Sequence, residues 1–358
     1  HGKILFGLRG CQLMGETDKQ TDKDALKLAL ARPNHKNFRC TIGVFDTRTR
    51  KLSGYIASTV PNRTFVYKCW QLSRDGEDLA GNMLPTGCYG YIVGAHNSTP
   101  SAFVLRETIN KKRRVVVWRS TDDVTYSIQD EIDVCEPGDN IHPAYSASQA
   151  DFSSAGCQVI RGNSSGGHNG EWALFRIAAG LPKDGNGKYG TPYSYVLTTG
   201  LEAKAAADMR VKGELADQAK VASKLARLRQ GSQGDEVKAL QGALGLQPTG
   251  VFGALEAEKL AAWQRDRLRY NDAIYTMEYD VHLNANILGG LPPPAVPQPT
   301  GVAGVTQPDP VARPDPVVRP GAAGQPGVPT QPDLGGGGQT AAGWGLESAV
   351  GARGAAMR

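Results

Sequence analysis

The 358-residue chain has no Cys-x-x-Cys pair, no long block of one charge and no long apolar run. Each absence excludes something. Without cysteines paired at ligand spacing, Cys11, Cys40, Cys69, Cys88, Cys135 and Cys157 do not form a structural zinc site. No apolar stretch approaches the roughly 18 residues that cross a bilayer, so no membrane span is expected. Net charge is only +5, and the nearest thing to a basic patch, Lys111-Lys112-Arg113-Arg114, runs directly into Val115-Val116-Val117. That pattern is a strand entrance or hairpin corner, so no nucleic-acid partner is expected. Asp122-Asp123 and Asp130-Glu131 are neighbours in sequence. On a strand such pairs point to opposite faces, which argues against a metal or glycosidase site there. No motif implies a cofactor. The chain opens at His1, not at methionine, and no signal-peptide pattern is visible, which leaves room for a leader removed upstream.

What is present divides into three parts. Residues 1–205 are β-rich, with strand-like runs at Lys3–Gly7, Cys40–Phe45, Tyr89–Val93, Ala102–Leu105, Val115–Trp118 and Tyr193–Leu197, separated by turn formers. Asp22 to Leu30 has helical spacing with Pro33 as a stop signal, and a second short helix is expected over Trp172 to Ala178. Residues 206–290 form a helical connector and a small all-α module. There Val237, Leu240 and Leu244 fall on one helix face, with Asp235 at its start, and Ala254 to Arg267 reads as a second amphipathic helix. Residues 291–358 carry thirteen of the 22 prolines, with many glycines and few large apolar residues. Such a segment cannot offset the entropy of ordering and reads as a disordered tether. Trp344-Gly345-Leu346 reads there as a solvated patch. The fold class expected is therefore α+β.

The segment carrying chemistry is Asp151-Phe152-Ser153-Ser154-Ala155-Gly156-Cys157-Gln158-Val159-Ile160, preceded by Asn140-Ile141-His142. A cysteine after a small-residue turn, leading into an apolar strand, with a histidine upstream, is the arrangement a thiol nucleophile needs. The turn can aim N–H groups at a reacting carbonyl, and an imidazole can take the thiol proton. The bland reading makes Cys157 a packing thiol and His142 a satisfied histidine. All six cysteines lie in the first 157 residues, and a free Cys157 would leave an odd number for any disulfides. Two other histidines compete. His168 follows the cysteine, as in papain-like enzymes, but sits in the loop Ser164-Ser165-Gly166-Gly167-His168-Asn169-Gly170, and Gln158-Val159-Ile160 looks like a strand where that family has a helix. His142 is preferred for that reason. His96, in Gly94-Ala95-His96-Asn97, reads as a loop histidine, although it could enter the site from another strand.

Two resemblances follow from these residues. Ile141-His142 with Ser154-Ala155-Gly156-Cys157 resembles the catalytic signature of the L,D-transpeptidases, in a divergent, phage-type form, although Ala155 stands where that family has a second histidine. Residues 225–268 resemble the helical peptidoglycan-binding domain of bacterial and phage cell-wall enzymes. The match runs through Leu228, Gly231, Gly234, Val237, Leu240 and Gln241, then Thr249, Gly250, Phe252 and Gly253. The first resemblance implies a β-sandwich-like fold and acyl transfer on peptidoglycan stem peptides. It makes Cys157 the nucleophile and His142 the base. Backbone N–H groups around Ala155, Gly156 and Cys157 would hold the oxyanion, Ser154 would orient His142, and Arg161 would bind a substrate carboxylate. The second implies peptidoglycan as partner and a place in the periplasm, cell envelope or a phage virion, with envelope or virion proteins as partners for the tail. A non-enzymatic wall-binding virion or tail component is the alternative.

Overall fold

A computed structural model describes residues 2–15, 20–66, 81–97, 99–106, 115–119, 130–145, 152–164, 167–268, 271–283 and 285–288. Cys69, Lys111–Arg114, Asp122-Asp123 and everything after 288, the Pro/Gly-rich stretch included, lie outside them. The described residues belong to one compact unit, His1–Pro297. The fold is α+β with a β-rich N-terminal region.

Thirteen strands are found among the described residues: β1 (Lys3–Arg9), β2 (Cys11–Leu13), β3 (Leu28–Leu30), β4 (Cys40–Asp46), β5 (Lys51–Ser58), β6 (Asn82–Met83), β7 (Gly87–His96), β8 (Thr99–Leu105), β9 (Val115–Arg119), β10 (Glu131–Cys135), β11 (Ile141–Pro143), β12 (Gln158–Ile160) and β13 (Pro192–Thr199). Eight of them close a barrel in the order β1, β13, β7, β8, β11, β12, β5, β4. Closure leaves no open edge in that sheet, which is how it differs from the sandwich expected above. Two parallel pairings, β1 with β13 and β11 with β12, sit among antiparallel neighbours. A three-stranded sheet (β10, β9, β6) and a two-stranded one (β2, β3) lie beside the barrel.

Period-two burial builds the main core. Tyr89, Tyr91 and Val93 of β7 are buried on alternate positions and pack with Leu5, Ile42, Phe103, Tyr195 and Leu197. Helix α1 (Gly170–Ala178) sends Trp172 and Phe175 into this core, edge-on to Phe103, and Tyr55 donates its hydroxyl to the Leu174 carbonyl at 3.1 Å. Arg176 on the same helix is fully buried and donates to the carbonyls of Ser101 and Gly185, stapling the loop after the helix.

One expected helix is absent. Across Asp22 to Leu30 the chain forms bends and then β3, which pairs with β2 through Cys11↔Leu30 and Leu13↔Leu28, and Lys23 bridges to Leu52. Helix formers there yield to strand partners that satisfy the same backbone groups. The helix near Trp172 forms as expected.

After β13 the chain enters α2 (Gly200–Val211), capped by Thr199 and Glu202 in a reciprocal capping box, then α3 (Gln218–Leu225). Residue 205 therefore falls inside a helix. The module that follows contains α4 (Asp235–Ala243), α5 (Ala254–Leu268) and a short α6 (Asp280–Leu283). Its architecture repeats. Gln241 on α4 is buried, accepts from Gly250 N at 2.8 Å and donates to the Val251 carbonyl. Gln264 on α5, also buried, accepts from Ala273 N at 3.0 Å and donates to the Ile274 carbonyl. Gly250 and Ala273 both have left-handed backbones, and Phe252 and Tyr275 each follow two residues later as fully buried anchors.

This module is joined to the β-rich part. Its core of Leu228, Val237, Leu240, Phe252, Leu260 and Tyr275 includes Val116 of β9, with Ile132 and Val134 of β10 packed against it. Cys88 N donates to Gln230 O at 2.8 Å, and Arg229 reaches both Thr86 and Glu202. Gly231, with φ of +87°, lies so close to Cys88 that a Cβ would sit 2.7 Å from the Cys88 Cβ.

Leu240→Ala is expected to cost about 2–5 kcal/mol. Because Val116 shares that core, calorimetry should show the whole transition of residues 1–290 moving down. A separate early transition with the main one unmoved would contradict the shared core.

Candidate active site

Parallel pairing of β11 with β12 builds the site. Ile141 faces Gln158, His142 faces Val159 and Pro143 faces Ile160. Ile141 and Ile160 belong to the main core, and the pleat turns His142 and Val159 to the other face. Cys157, two residues before Val159, shares its side and packs with Phe38, Ala144, Phe152 and Val159. His142 and Cys157 thus reach one place, as the upstream-histidine reading requires.

A third group arrives from a strand on the other side of β8. Buried positions on β7 run Tyr89, Tyr91, Val93 toward the main core, so alternation turns His96 to the opposite face, the one that His142 occupies on β11. The pairing of β7 with β8 shifts register between Gly94 and His96. The extra residue lies on β8, where Pro100 and Ser101 stand opposite the single Ala95 and Ser101 takes a left-handed backbone, so β7 keeps its alternation and His96, two positions on from Gly94, shares the face that carries His142. His96 and His142 stack with ring centroids 4.5 Å apart, and ligand atoms of His96, His142 and Cys157 all lie within 4.8 Å of one another. His96 Nε2 is 4.0 Å from Cys157 Sγ. The loop-histidine reading of His96 is therefore corrected. The only signal in sequence was a glycine and an asparagine flanking the strand end, and Asn97 does take a left-handed backbone.

Each histidine is held by its second nitrogen or by neighbours. His142 Nδ1 contacts its own neighbour's carbonyl, Pro143 O, at 2.6 Å, and Asn140 Nδ2 lies 2.8 Å from His96 Nδ1. Tyr145 closes the other side of His142 at 5.2 Å between centroids, with its hydroxyl on Thr99, which also meets Ser164 Oγ at 3.0 Å.

The site is largely buried, with His142 covered and His96 half-buried, and its electrostatics follow from that. Burial pushes His96 down to about 4. Burial and the neighbouring His96 together push His142 down to about 3. Burial, reinforced by Asp139 where that carboxyl is ionised, pushes the Cys157 thiol well above its ordinary range, while the backbone N–H groups of Asn140 and Cys157 pull the other way. The resting site at neutral pH is a neutral thiol beside neutral imidazoles, and the thiol donates to Gly138 O at 3.3 Å. Asp139 is fully buried, with Oδ1 accepting from Asn82 Nδ2 at 3.3 Å and Oδ2 lacking a partner among the described residues, and burial raises its carboxyl to about 7.

The remaining expected residues have other duties. Ser154 does not orient His142. Its hydroxyl donates to Cys157 O at 2.7 Å and accepts from Gly156 N at 3.2 Å, so it fastens the turn. That occupies one of the N–H groups expected to hold an oxyanion. Gly156 is required by space, since a Cβ there would meet Asp139 Oδ1 and lie 2.7 Å from Asn82 Cβ. Arg161 forms a two-pronged ion pair with Glu171 on α1, with Nε at 2.8 Å, so its guanidinium is already occupied. His168 accepts from Trp172 Nε1 at 3.0 Å and stands apart from the Cys157 group. No protein-family model, curated protein or solved structure matches the chain.

Gly156→Ala is expected to destabilise the protein by about 1–3 kcal/mol through the clash with Asn82, read as a lower urea midpoint; an unchanged midpoint would contradict this packing. Asp139 carries a second expectation. Its carboxyl ionises near pH 4 in an unfolded chain and near 7 when folded. Between these values the folded state keeps a proton the unfolded state has lost, so this group's contribution to stability falls as pH rises through that window and then levels. Asp139→Asn should therefore gain on the parent between pH 4 and 7. A difference in urea midpoint that does not vary with pH would contradict the buried neutral carboxyl.

Proposed function

We propose that the protein is a cysteine acyl-transfer enzyme of the L,D-transpeptidase type, acting on peptidoglycan stem peptides and held to its polymer by the helical module. The observation that carries this reading is the convergence of His142 and Cys157, delivered by paired strands, on one largely buried site. A nucleophile and a base within reach of one another, with a small-residue turn at the nucleophile, is what acyl transfer requires. Resemblance supplies the polymer: the Ser154-Ala155-Gly156-Cys157 turn and the Leu228 to Gly253 pattern both point to cell-wall peptide.

His142 is neutral at physiological pH and so has a lone pair to take a proton, but burial holds it at about 3 and makes it a weak base until charge develops beside it. The raised thiol means that sulfur and imidazole start as a neutral pair and not as an ion pair. Cys157 Sγ loses its proton to His142 as it attacks the substrate carbonyl, forming a C–S bond while the carbonyl electron pair moves to oxygen. Collapse breaks the C–N bond, and the leaving amine takes the proton from His142. An amine (transpeptidation) or water (carboxypeptidase or endopeptidase action) then attacks the thioester with His142 again as base. With Arg161 paired to Glu171, the carboxylate of the stem peptide must be met by other groups, or by Arg161 after that pair opens.

The burial of Cys157 favours a second reading, in which the fold grips the wall as a structural or virion component and the thiol only packs. The two readings separate on sacculi. The enzyme reading expects altered muropeptides after incubation with the full chain, with Cys157→Ala and His142→Gln each reducing conversion by 100-fold or more. Protein that sediments with sacculi yet leaves the muropeptides unchanged would establish the structural reading instead.

A further inference from the structure

We propose that His96 is a second catalytic residue, an N–H donor locked in one tautomer and aimed at the Cys157 sulfur, while His142 is the base. This rests on the acyl-transfer reading of the same site.

The tautomers follow from partners whose roles are fixed. Leu105 N donates to Asn140 Oδ1 at 2.9 Å. A backbone N–H can only donate, so the Asn140 oxygen faces Leu105 and its NH2 group faces His96. That NH2 lies 2.8 Å from His96 Nδ1 and can also only donate, so Nδ1 carries the lone pair and Nε2 carries the hydrogen. Nε2 is the nitrogen 4.0 Å from Cys157 Sγ. Asn97 Nδ2 lies 3.3 Å from Nε2, so the assignment requires the exposed Asn97 amide to turn its oxygen, in place of its NH2, toward that N–H.

His142 has the opposite assignment. Its Nδ1 lies 2.6 Å from Pro143 O, and a carbonyl can only accept, so Nδ1 carries the hydrogen and Nε2 is bare. Two stacked imidazoles thus present opposite faces, one donating and one accepting, within 4.8 Å of a single sulfur. In the reaction His142 takes the thiol proton and returns it to the leaving amine. His96 keeps its proton throughout and hydrogen-bonds the sulfur while it is negative. The thiolate needs such a donor, because burial and Asp139 both oppose it.

The same three side chains would suit a thiophilic cation such as Zn2+, but a histidine that ligates through Nε2 uses Nδ1 as a donor. His96 Nδ1 faces a group that itself donates, so the lock set by Leu105 and Asn140 favours the hydrogen bond over the metal.

The test is the rate of iodoacetamide alkylation at Cys157 in the full chain, mapped by peptide mass spectrometry between pH 7 and 10, which reads the thiolate fraction without needing substrate. His96→Phe keeps the stacked ring and removes the donor. It and His96→Ala should each slow alkylation about tenfold at a given pH, equivalent to raising the thiol by about one pH unit. His96→Gln, which restores an N–H, should recover most of that loss. Long-range proton–nitrogen spectra should show hydrogen on Nε2 of His96 and on Nδ1 of His142. Rates in His96→Phe equal to the parent, reversed tautomers, or one equivalent of zinc in the purified protein that is lost with either histidine would each overturn the proposal. Muropeptides unchanged by the parent, with alkylation still slowed in His96→Phe, would remove the acyl-transfer reading and leave His96 as the donor to this thiol. Muropeptides altered by the parent, with alkylation unmoved, would do the reverse.

Discussion

Everything at the site depends on the three-residue parallel pairing of β11 with β12. It is short, but it fixes parity as well as position: a slip of one residue would turn His142 into the main core and Ile141 out beside the thiol. Three things hold the register. Ile141 and Ile160 are anchored in the core, Gln158 accepts from Tyr195 at 3.2 Å, and Gln158 N donates to Asn140 O at 2.8 Å just before the strand. The turn that delivers Cys157 is fastened separately, by Ser154 within and by Asn82 N donating to Ala155 O at 2.9 Å from outside. Residues expected to act on substrate turn out to hold this frame, which is why Ser154 and Gly156 are needed even though neither touches the reacting atoms.

Burial sets the electrostatics of the site. Burial disfavours charge on every group around the sulfur, so Asp139, His96, His142 and Cys157 all rest neutral or are pushed toward neutrality. A neutral thiol is inert, which protects it from oxidation and misplaced reaction. On the acyl-transfer reading, the thiolate, once formed, would be met by fixed dipoles of the surrounding protein. The opposed tautomers proposed for His96 and His142, set by one side-chain amide and one backbone carbonyl, would supply such dipoles without adding a net charge.

Much of this was legible in the sequence, and the losses have physical causes. The longer strands announced themselves by β-branched and aromatic runs between turn formers, and α1, α4 and α5 by period and flanking glycines. The segment Asp22 to Leu30 misled because its helix-forming residues face strand partners, Leu13 and Leu52, that are distant in sequence. His142 and Cys157 could be paired because only sixteen positions hold both. His96 was obscured because its place beside His142 depends on β8 lying between β7 and β11, a strand order that is not written in any local pattern. Arg161 was misassigned because Glu171, ten residues on, reaches back to it from the start of a helix. The repeat of Gln241 and Gln264, each pinning a left-handed turn nine residues later, was present in the sequence but hidden by the replacement of Gly250 with Ala273 in the second copy.

The central claim, that Cys157 is an acylated nucleophile, is tested most directly by intact-mass spectrometry of the full chain after incubation with a carbapenem, whose strained amide is an acyl donor to an activated thiol. The account predicts one added carbapenem mass, mapped to Cys157, absent from Cys157→Ala and slowed in His142→Gln. A protein that stays unmodified under conditions in which it is folded, or an adduct that persists in Cys157→Ala, would contradict it.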